Sequence, residues 1–360
     1  MAHHHAGGAA CPTSRRHVLA GLSALGASAL LPGAVYAAAP AASTGRLDTH
    51  HHFFPPKYLE TLAAWNEREG VAAGLQPPQR DWSVAKALED MDKNSVSTAV
   101  LSISTPGIYF GDRGQARDMA RLCNEYAPQL GRDHKGRFGL FAAVPMPDVE
   151  GTLREIEYAL DTLKADGIGF MTSYDDLYPG DKRFQPVFEE LNRRKAVAYF
   201  HPLAAPCCGH VIPGVPASAI EYPHDTTRAV VSLLFSGGFQ RYRDVRFLFS
   251  HAGASIPMLA GRIASGSRRR KDLAEIAPDG IESELKKLHY DTANSVYRPT
   301  MAALLAFVPA SQVLFGSDFP YYTISENVEN FDKLELNVAD RAAIDRGNAE
   351  RLLPQLKTKA

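Results

Sequence analysis

The sequence predicts an α/β fold, a (β/α)8 or TIM barrel preceded by a short leader, on three observations. Short β-branched or aromatic runs alternate with amphipathic segments from about Arg46 onward, the pattern of parallel strands joined by helical crossovers. Eight such runs fall within roughly 270 residues, the repeat number and size of this barrel. Ionisable residues close four of the runs, and a barrel gathers its chemistry at the carboxyl ends of its strands. A doubly wound open sheet is the rival, and the placement of those polar residues argues against it.

Composition agrees with a globular chain. The 360 residues carry 39 Lys+Arg against 40 Asp+Glu and are 45% apolar, which excludes disordered, collagen-like and coiled-coil classes. A net charge of -1 provides no positive field for phosphate backbones or anionic lipids. Nucleic acid is not expected as a partner. Four cysteines, Cys11, Cys123, Cys207 and Cys208, are too few and too irregular to staple a fold of this size.

The leader spans residues 1–37. Arg15 and Arg16 precede an apolar run from Val18 to Leu31, followed by Pro32 and a small-residue site ending at Ala37, the layout of a cleaved signal peptide. The run is 14 residues long, short of the roughly 20 that span a bilayer, so no permanent membrane anchor is expected. Twin arginines resemble a twin-arginine export signal, which implies a folded, periplasmic product. The triplet His3 to His5 reads as a tag or flexible start. Residues 38–46 form a linker, and the barrel takes 47–360.

The strands are expected over 47–52, 98–104, 137–144, 167–173, 196–201, 246–251, 288–292 and 313–318, with helical patterns in the gaps, such as Ser83 to Asn94, Gln115 to Tyr126 and Asp225 to Arg241. The first ends in His50-His51-His52, the fifth in Phe200-His201, the sixth in Ser250-His251 and the eighth in Ser317-Asp318. Apolar strands have no packing reason to finish in His or Asp each time. Side chains alternate along a strand, so His50 and His52 share a face while His51 points away. His50, His52, His201 and Asp318 together make a ligand set of imidazoles plus a carboxylate, which with one position left open is that of a catalytic divalent ion.

These motifs carry a resemblance. The run Asp48 to Pro56, with Phe200-His201-Pro202, Ser250 to Pro257 and Gly316-Ser317-Asp318-Phe319-Pro320, is similar to the amidohydrolase superfamily. Within it the likeness is to the branch containing aminocarboxymuconate-semialdehyde, γ-resorcylate and 6-methylsalicylate decarboxylases, and it extends through Asp225-Thr226-Thr227-Arg228 to Gly347-Asn348-Ala349. It implies an amidohydrolase-like barrel with one divalent metal on His50, His52, His201 and Asp318, zinc first and manganese as the alternative. It also implies that His251 is the acid/base group. Where the branch places an HxGG run, this chain has His251-Ala252-Gly253-Ala254. The stretch Trp82 to Asp92 offers only Lys86 where the semialdehyde enzyme has carboxylate-binding arginines, so a substrate with one carboxylate on an apolar ring is expected. Arg262 matches an arginine that reaches a neighbouring subunit's site, implying a homodimer or higher homo-oligomer.

The expected activity is therefore metal-dependent, non-oxidative decarboxylation of a hydroxylated aromatic acid, with His251 or Asp318 delivering a proton to the ring carbon. Hydrolysis of an ester, lactone or amide on the same site is the alternative, and spacing does not choose between them. Phe53, Tyr174 and Tyr321 beside strand ends suit a planar ring, and Arg228 either pairs the substrate carboxylate or salt-bridges Asp225. The vicinal Cys207-Cys208 is expected in a packed loop. His210 and His224 flank a Pro-rich loop that is a candidate lid. No nucleotide motif is present.

Overall fold

A computed structural model describes residues 45–71, 74–208 and 211–358. The leader and most of the linker lie outside the described residues, as does His210. The described chain falls in one compact unit, Ser43–Ala360. No helix among the described residues is long and apolar enough to cross a membrane.

Eight parallel strands form one sheet in sequence order: β1 (Arg46–His52), β2 (Val96–Ser102), β3 (Phe138–Ala143), β4 (Gly167–Met171), β5 (Val197–His201), β6 (Arg246–Phe249), β7 (His289–Asp291) and β8 (Val313–Leu314). The segment after β8 closes the ring on β1. Thr49 N–H donates to the Phe315 carbonyl at 2.9 Å, Asp318 N–H to His50 at 2.9 Å, and His52 N–H to Phe319 at 2.8 Å. The expected barrel is therefore present.

Strands such as Val197–His201 are buried at every position, as parallel strands sandwiched between two apolar layers must be. One face fills the interior, where Leu47, Val100, Phe141, Val197, Tyr199, Leu248 and Leu314 pack above Leu352, Leu353 and Leu356 from the C-terminal segment. The other face meets the helices. Phe200 stacks on Phe249 at 4.9 Å and on Phe170 at 5.4 Å, and Phe188 of the helix Gln185–Arg194 stacks on Phe170 at 5.8 Å.

The helices begin where short polar side chains can take up free N–H groups. Ser83 caps Val84–Lys93, Asp112 caps Arg113–Asp133, and Thr323 with Glu326 forms a capping box on Ile324–Asp332. Two helices outrun the expected bounds. Arg113–Asp133 continues through Pro128, and Ala217–Phe235 begins ahead of Asp225 and runs through Pro223. The tail of the expected Pro-rich lid is thus helical, with His224 exposed on it. Cys207 and Cys208 are joined by a disulfide across one peptide bond, which staples no distant segments, while Cys123 is free and buried.

Strands β6 and β8 stop short of the expected 251 and 318. His251 (φ 54°) and Asp318 (φ 66°) instead occupy left-handed turns, a conformation that costs non-glycine residues of order 1–3 kcal/mol and clusters at functional sites.

Candidate active site

The first strand aims its histidines by a bulge. Leu47 faces the barrel interior, and strict alternation from it would turn His50 and His52 outward. Pairing with β2 shifts register between Asp48 and His51, and such an extra residue re-aims the side chains beyond it. His50 and His52 then point inward together, their Nε2 atoms 3.0 Å apart. His51 turns away, stacks on Phe319 at 4.7 Å and meets Asp48 Oδ2 at 3.1 Å.

The other expected groups converge there. Asp318 Oδ1 lies 3.2 Å from His50 Nε2 and 3.1 Å from His52 Nε2. The His201 ring is centred 4.7 Å from that of His52 and 5.3 Å from that of His50. His251 lies 4.8 Å from His50, ring to ring, and the ligand atoms of His50, His201, His251 and Asp318 all fall within 4.8 Å of one another. Four strand ends and the turns after them thus deliver five side chains capable of metal ligation to one point.

Each imidazole is held by its far nitrogen. Nδ1 of His50 faces Asp291 Oδ2 at 2.9 Å, that of His52 the Ser102 carbonyl at 3.2 Å, that of His201 the Pro202 carbonyl at 3.1 Å, and that of His251 the Ala293 carbonyl at 2.8 Å. All four partners only accept hydrogen bonds, so every Nδ1 donates and, in the neutral ring, every Nε2 presents a lone pair. Lone pairs of His50 and His52 then converge on the Asp318 carboxylate, a donor set that calls for a cation.

The electrostatics agree. Burial opposes a charge on His50, but the Asp291 and Asp318 carboxylates outweigh it and raise its pKa to about 10, so positive charge is favoured at this point. Burial lowers His52 to about 4 and His201 well below its ordinary value, keeping both as neutral donors. Burial also pushes the Asp318 carboxyl up, but His50 and His52 more than reverse this and hold it ionised. Nitrogen and carboxylate donors of this kind fit zinc, manganese and their neighbours.

Asp291, at the end of β7, was not among the expected residues. Its Oδ1 accepts from the backbone N–H groups of His251 and Ala293 at 2.9 and 3.0 Å while Oδ2 holds His50, so one carboxylate orients both His50 and His251. The signal was there: the run His289-Tyr290-Asp291 ends in an ionisable residue, as the other four strand ends do. Gly316 is also required, because a Cβ there would lie 2.9 Å from the His50 Cβ. The turn after β6 needs Gly253, whose added Cβ would run into the Tyr290 ring, yet it places Ala252 and Ala254 at positive φ as well.

A cavity of about 760 Å³ opens beside the cluster, with His201, Thr105, Tyr174, Tyr199 and Tyr222 in its wall. Tyr174 is therefore where the sequence predicts it. Tyr321 flanks the cluster, its ring 5.7 Å from that of His52, and accepts from Gln79 at 3.0 Å. Phe53 differs: it is buried against Tyr126, outside the cavity wall, because the residue after an inward His52 faces the helices. Arg228 lies 3.7 Å from Asp225 and does not line the cavity. Asp225 is buried and also accepts from Thr172, Ser173 and Tyr178, so of the two expected roles the geometry places Arg228 in the salt bridge. Arg262 is exposed on the helix Ile256–Ser267.

A (β/α)8 barrel with an HxH pair on its first strand, a histidine on the fifth and an aspartate after the eighth defines a class of barrel protein whose strand mouths carry a cluster able to hold a metal ion. The chain belongs to the amidohydrolase family, whose model matches residues 47–355. It is 35% identical over 329 residues to the decarboxylase macB of Penicillium terrestre, covering 87% of this chain and 96% of that protein. It is 32% identical over 319 residues to the 6-methylsalicylic acid decarboxylase of Penicillium expansum, covering 87% and 97%. The fold is shared with 5-carboxyvanillate decarboxylase from Novosphingobium aromaticivorans, solved with manganese and 4-hydroxy-3-methoxy-5-nitrobenzoic acid, at a TM-score of 0.78, 19% identity and coverage of 86% and 96%.

Proposed function

We propose that this protein is a metal-dependent, non-oxidative decarboxylase of a hydroxylated aromatic acid with a single carboxylate. The observation that carries the proposal is the convergence of three Nε2 lone pairs and the Asp318 carboxylate beside an aromatic-walled cavity. His50, His52, His201 and Asp318 would hold the ion, zinc or manganese. When bound, it supplies Lewis-acid stabilisation of negative charge on substrate oxygens, worth several kcal/mol.

The residues do the rest. No Lys or Arg lines the cavity among the described residues, so a substrate carboxylate would find its positive partner at the histidine cluster. A second carboxylate would have none. Turnover adds a proton to the ring carbon that bears the carboxylate. The bond to the carboxyl carbon then breaks, its electron pair restores aromaticity, and carbon dioxide leaves. His251 would carry this proton on Nε2, taken up from solvent before each turnover, while Nδ1 stays tied to Ala293. Asp318, kept ionised by its histidine neighbours, orients them and balances charge.

The same proposal includes export by the leader at residues 1–37 and a homodimer in which the exposed Arg262 approaches a neighbouring site. Amino-terminal sequencing of the periplasmic protein and sedimentation of wild type against Arg262→Ala test these two points. The activity is tested with a panel of 2-hydroxybenzoates and their esters, following carbon dioxide and acid release separately. Carbon dioxide from the free acids, lost on chelation and restored by zinc or manganese, is the expected result. Acid release from esters without carbon dioxide from any acid would overturn it in favour of hydrolysis.

A further inference from the structure

The cavity is larger than a simple hydroxybenzoate requires. One benzene ring occupies a dry protein cavity of about 150 Å³, whereas this one measures about 760 Å³. Beyond the strand ends its wall is built by Trp65 on the helix Pro56–Arg68 and by Ile108, Tyr109 and Phe110 in the loop after β2. The Trp65 and Phe110 rings lie 5.5 Å apart, and Phe110 is backed by Tyr58 at 6.2 Å. This arm therefore has a rigid aromatic lining that the decarboxylation chemistry does not use.

Its charge is also distinctive. Glu69 and Asp175 line the cavity with no lining Lys or Arg to offset them. Arg68, nearby, already donates to the Glu69 carboxylate at 3.3 Å and to the Phe110 carbonyl at 3.2 Å. An anionic group reaching this end meets Glu69, to which Arg68 is already committed; an apolar one meets Trp65, Ile108 and Phe110.

We propose that this arm receives an apolar chain longer than a methyl group on the substrate ring, so that the preferred substrates are hydroxybenzoates with a linear alkyl chain of several carbons. The inference rests on the decarboxylase reading above and extends it. The ring's carboxylate lies at the His201 end, and a linear chain of several carbons runs along Trp65 and Phe110. Each methylene buried there raises kcat/KM by about twofold to fourfold.

The test measures kcat/KM of the metal-loaded enzyme for 2-hydroxybenzoates carrying hydrogen, methyl, propyl or pentyl at each free ring position, with carbon dioxide as the readout. In one positional series the values should climb with chain length. Trp65→Ala should lower the pentyl-to-hydrogen ratio. A carboxylate at the chain end should cost at least tenfold, and Glu69→Lys should recover part of it. As a readout independent of turnover, the affinity of the matching alkylphenols, measured by calorimetry, should tighten along the same series. Turnover of the bare ring with every alkyl series flat or falling overturns this inference and leaves the decarboxylase. No carbon dioxide from any acid, with alkylphenol affinity still rising with chain length, sinks the decarboxylase and keeps the apolar arm.

Discussion

Replacing Asp291 by Asn removes one charge and almost no volume, and should disable the metal site from outside it. In the wild type, Asp291 Oδ2 accepts from His50 Nδ1 at 2.9 Å, and this bond fixes the tautomer whose Nε2 faces the cluster. An Asn side chain can still offer one oxygen to the His251 and Ala293 N–H groups, which then turns its NH2 group toward His50. His50 Nδ1 must accept, so its proton moves to Nε2, where a ligand bond should form. Loss of such an outer partner weakens metal binding by about tenfold to a hundredfold, or about 1.4 to 2.7 kcal/mol, and the forced tautomer places the effect at the upper end. The metal-free protein should also lose about 1.5–3 kcal/mol for the missing charge-assisted bond. Competition between protein and a chelator for zinc or manganese reads the first quantity, and urea unfolding the second. Metal affinity within twofold of wild type, in a folded variant, would refute the argument that Asp291 sets the His50 tautomer.

Four further outcomes follow from the same geometry. His251→Asn should cut turnover by a factor of about 10² to 10⁴ while metal content stays near stoichiometric; unchanged turnover removes His251 as proton carrier. Gly316→Ala should displace the His50 side chain, whose Cβ would lie 2.9 Å away, and lower metal occupancy measured by elemental analysis. Ala254→Gly relieves a backbone at φ 56° and ψ -116° and should stabilise the protein by about 1 kcal/mol after the entropy cost of glycine, seen as a higher Tm. Burial lowers His289 to about 4; a buried neutral histidine gives stability that is present above its unfolded value near 6.5 and lost as pH falls towards 4. His289→Gln should therefore flatten the stability slope over that window by about 1–3 kcal/mol relative to wild type, as measured by urea unfolding at each pH.

The locations of the barrel strands and of most residues of the histidine–carboxylate cluster were legible because they depend on local pattern. A parallel strand covered on both faces has to be an apolar run, so the runs ending at His201 and His251 stand out, and a polar residue closing such a run marks the strand mouth. What alternation alone misassigns is the aim of the first strand. His50 and His52 share a face as expected, but they share it with Leu47 because of a bulge that arises in pairing with β2. Phe53 was drawn toward the substrate by its closeness in sequence to His52, and the same alternation sends it to the helical side. The helix boundary at Ala217 was hidden by Pro216, which precedes it, and by Pro223, which lies inside the helix.

The sequence by itself determined the barrel, the order of its strands, and which residue types stand at their mouths, since burial and periodicity are written one segment at a time. Only the tertiary structure decided that Asp291 holds both His50 and His251 and that Trp65 and Phe110 pack together in the cavity wall. Those outcomes depend on distances between segments tens to hundreds of residues apart, set when eight strands close into a ring and bring their ends to one place.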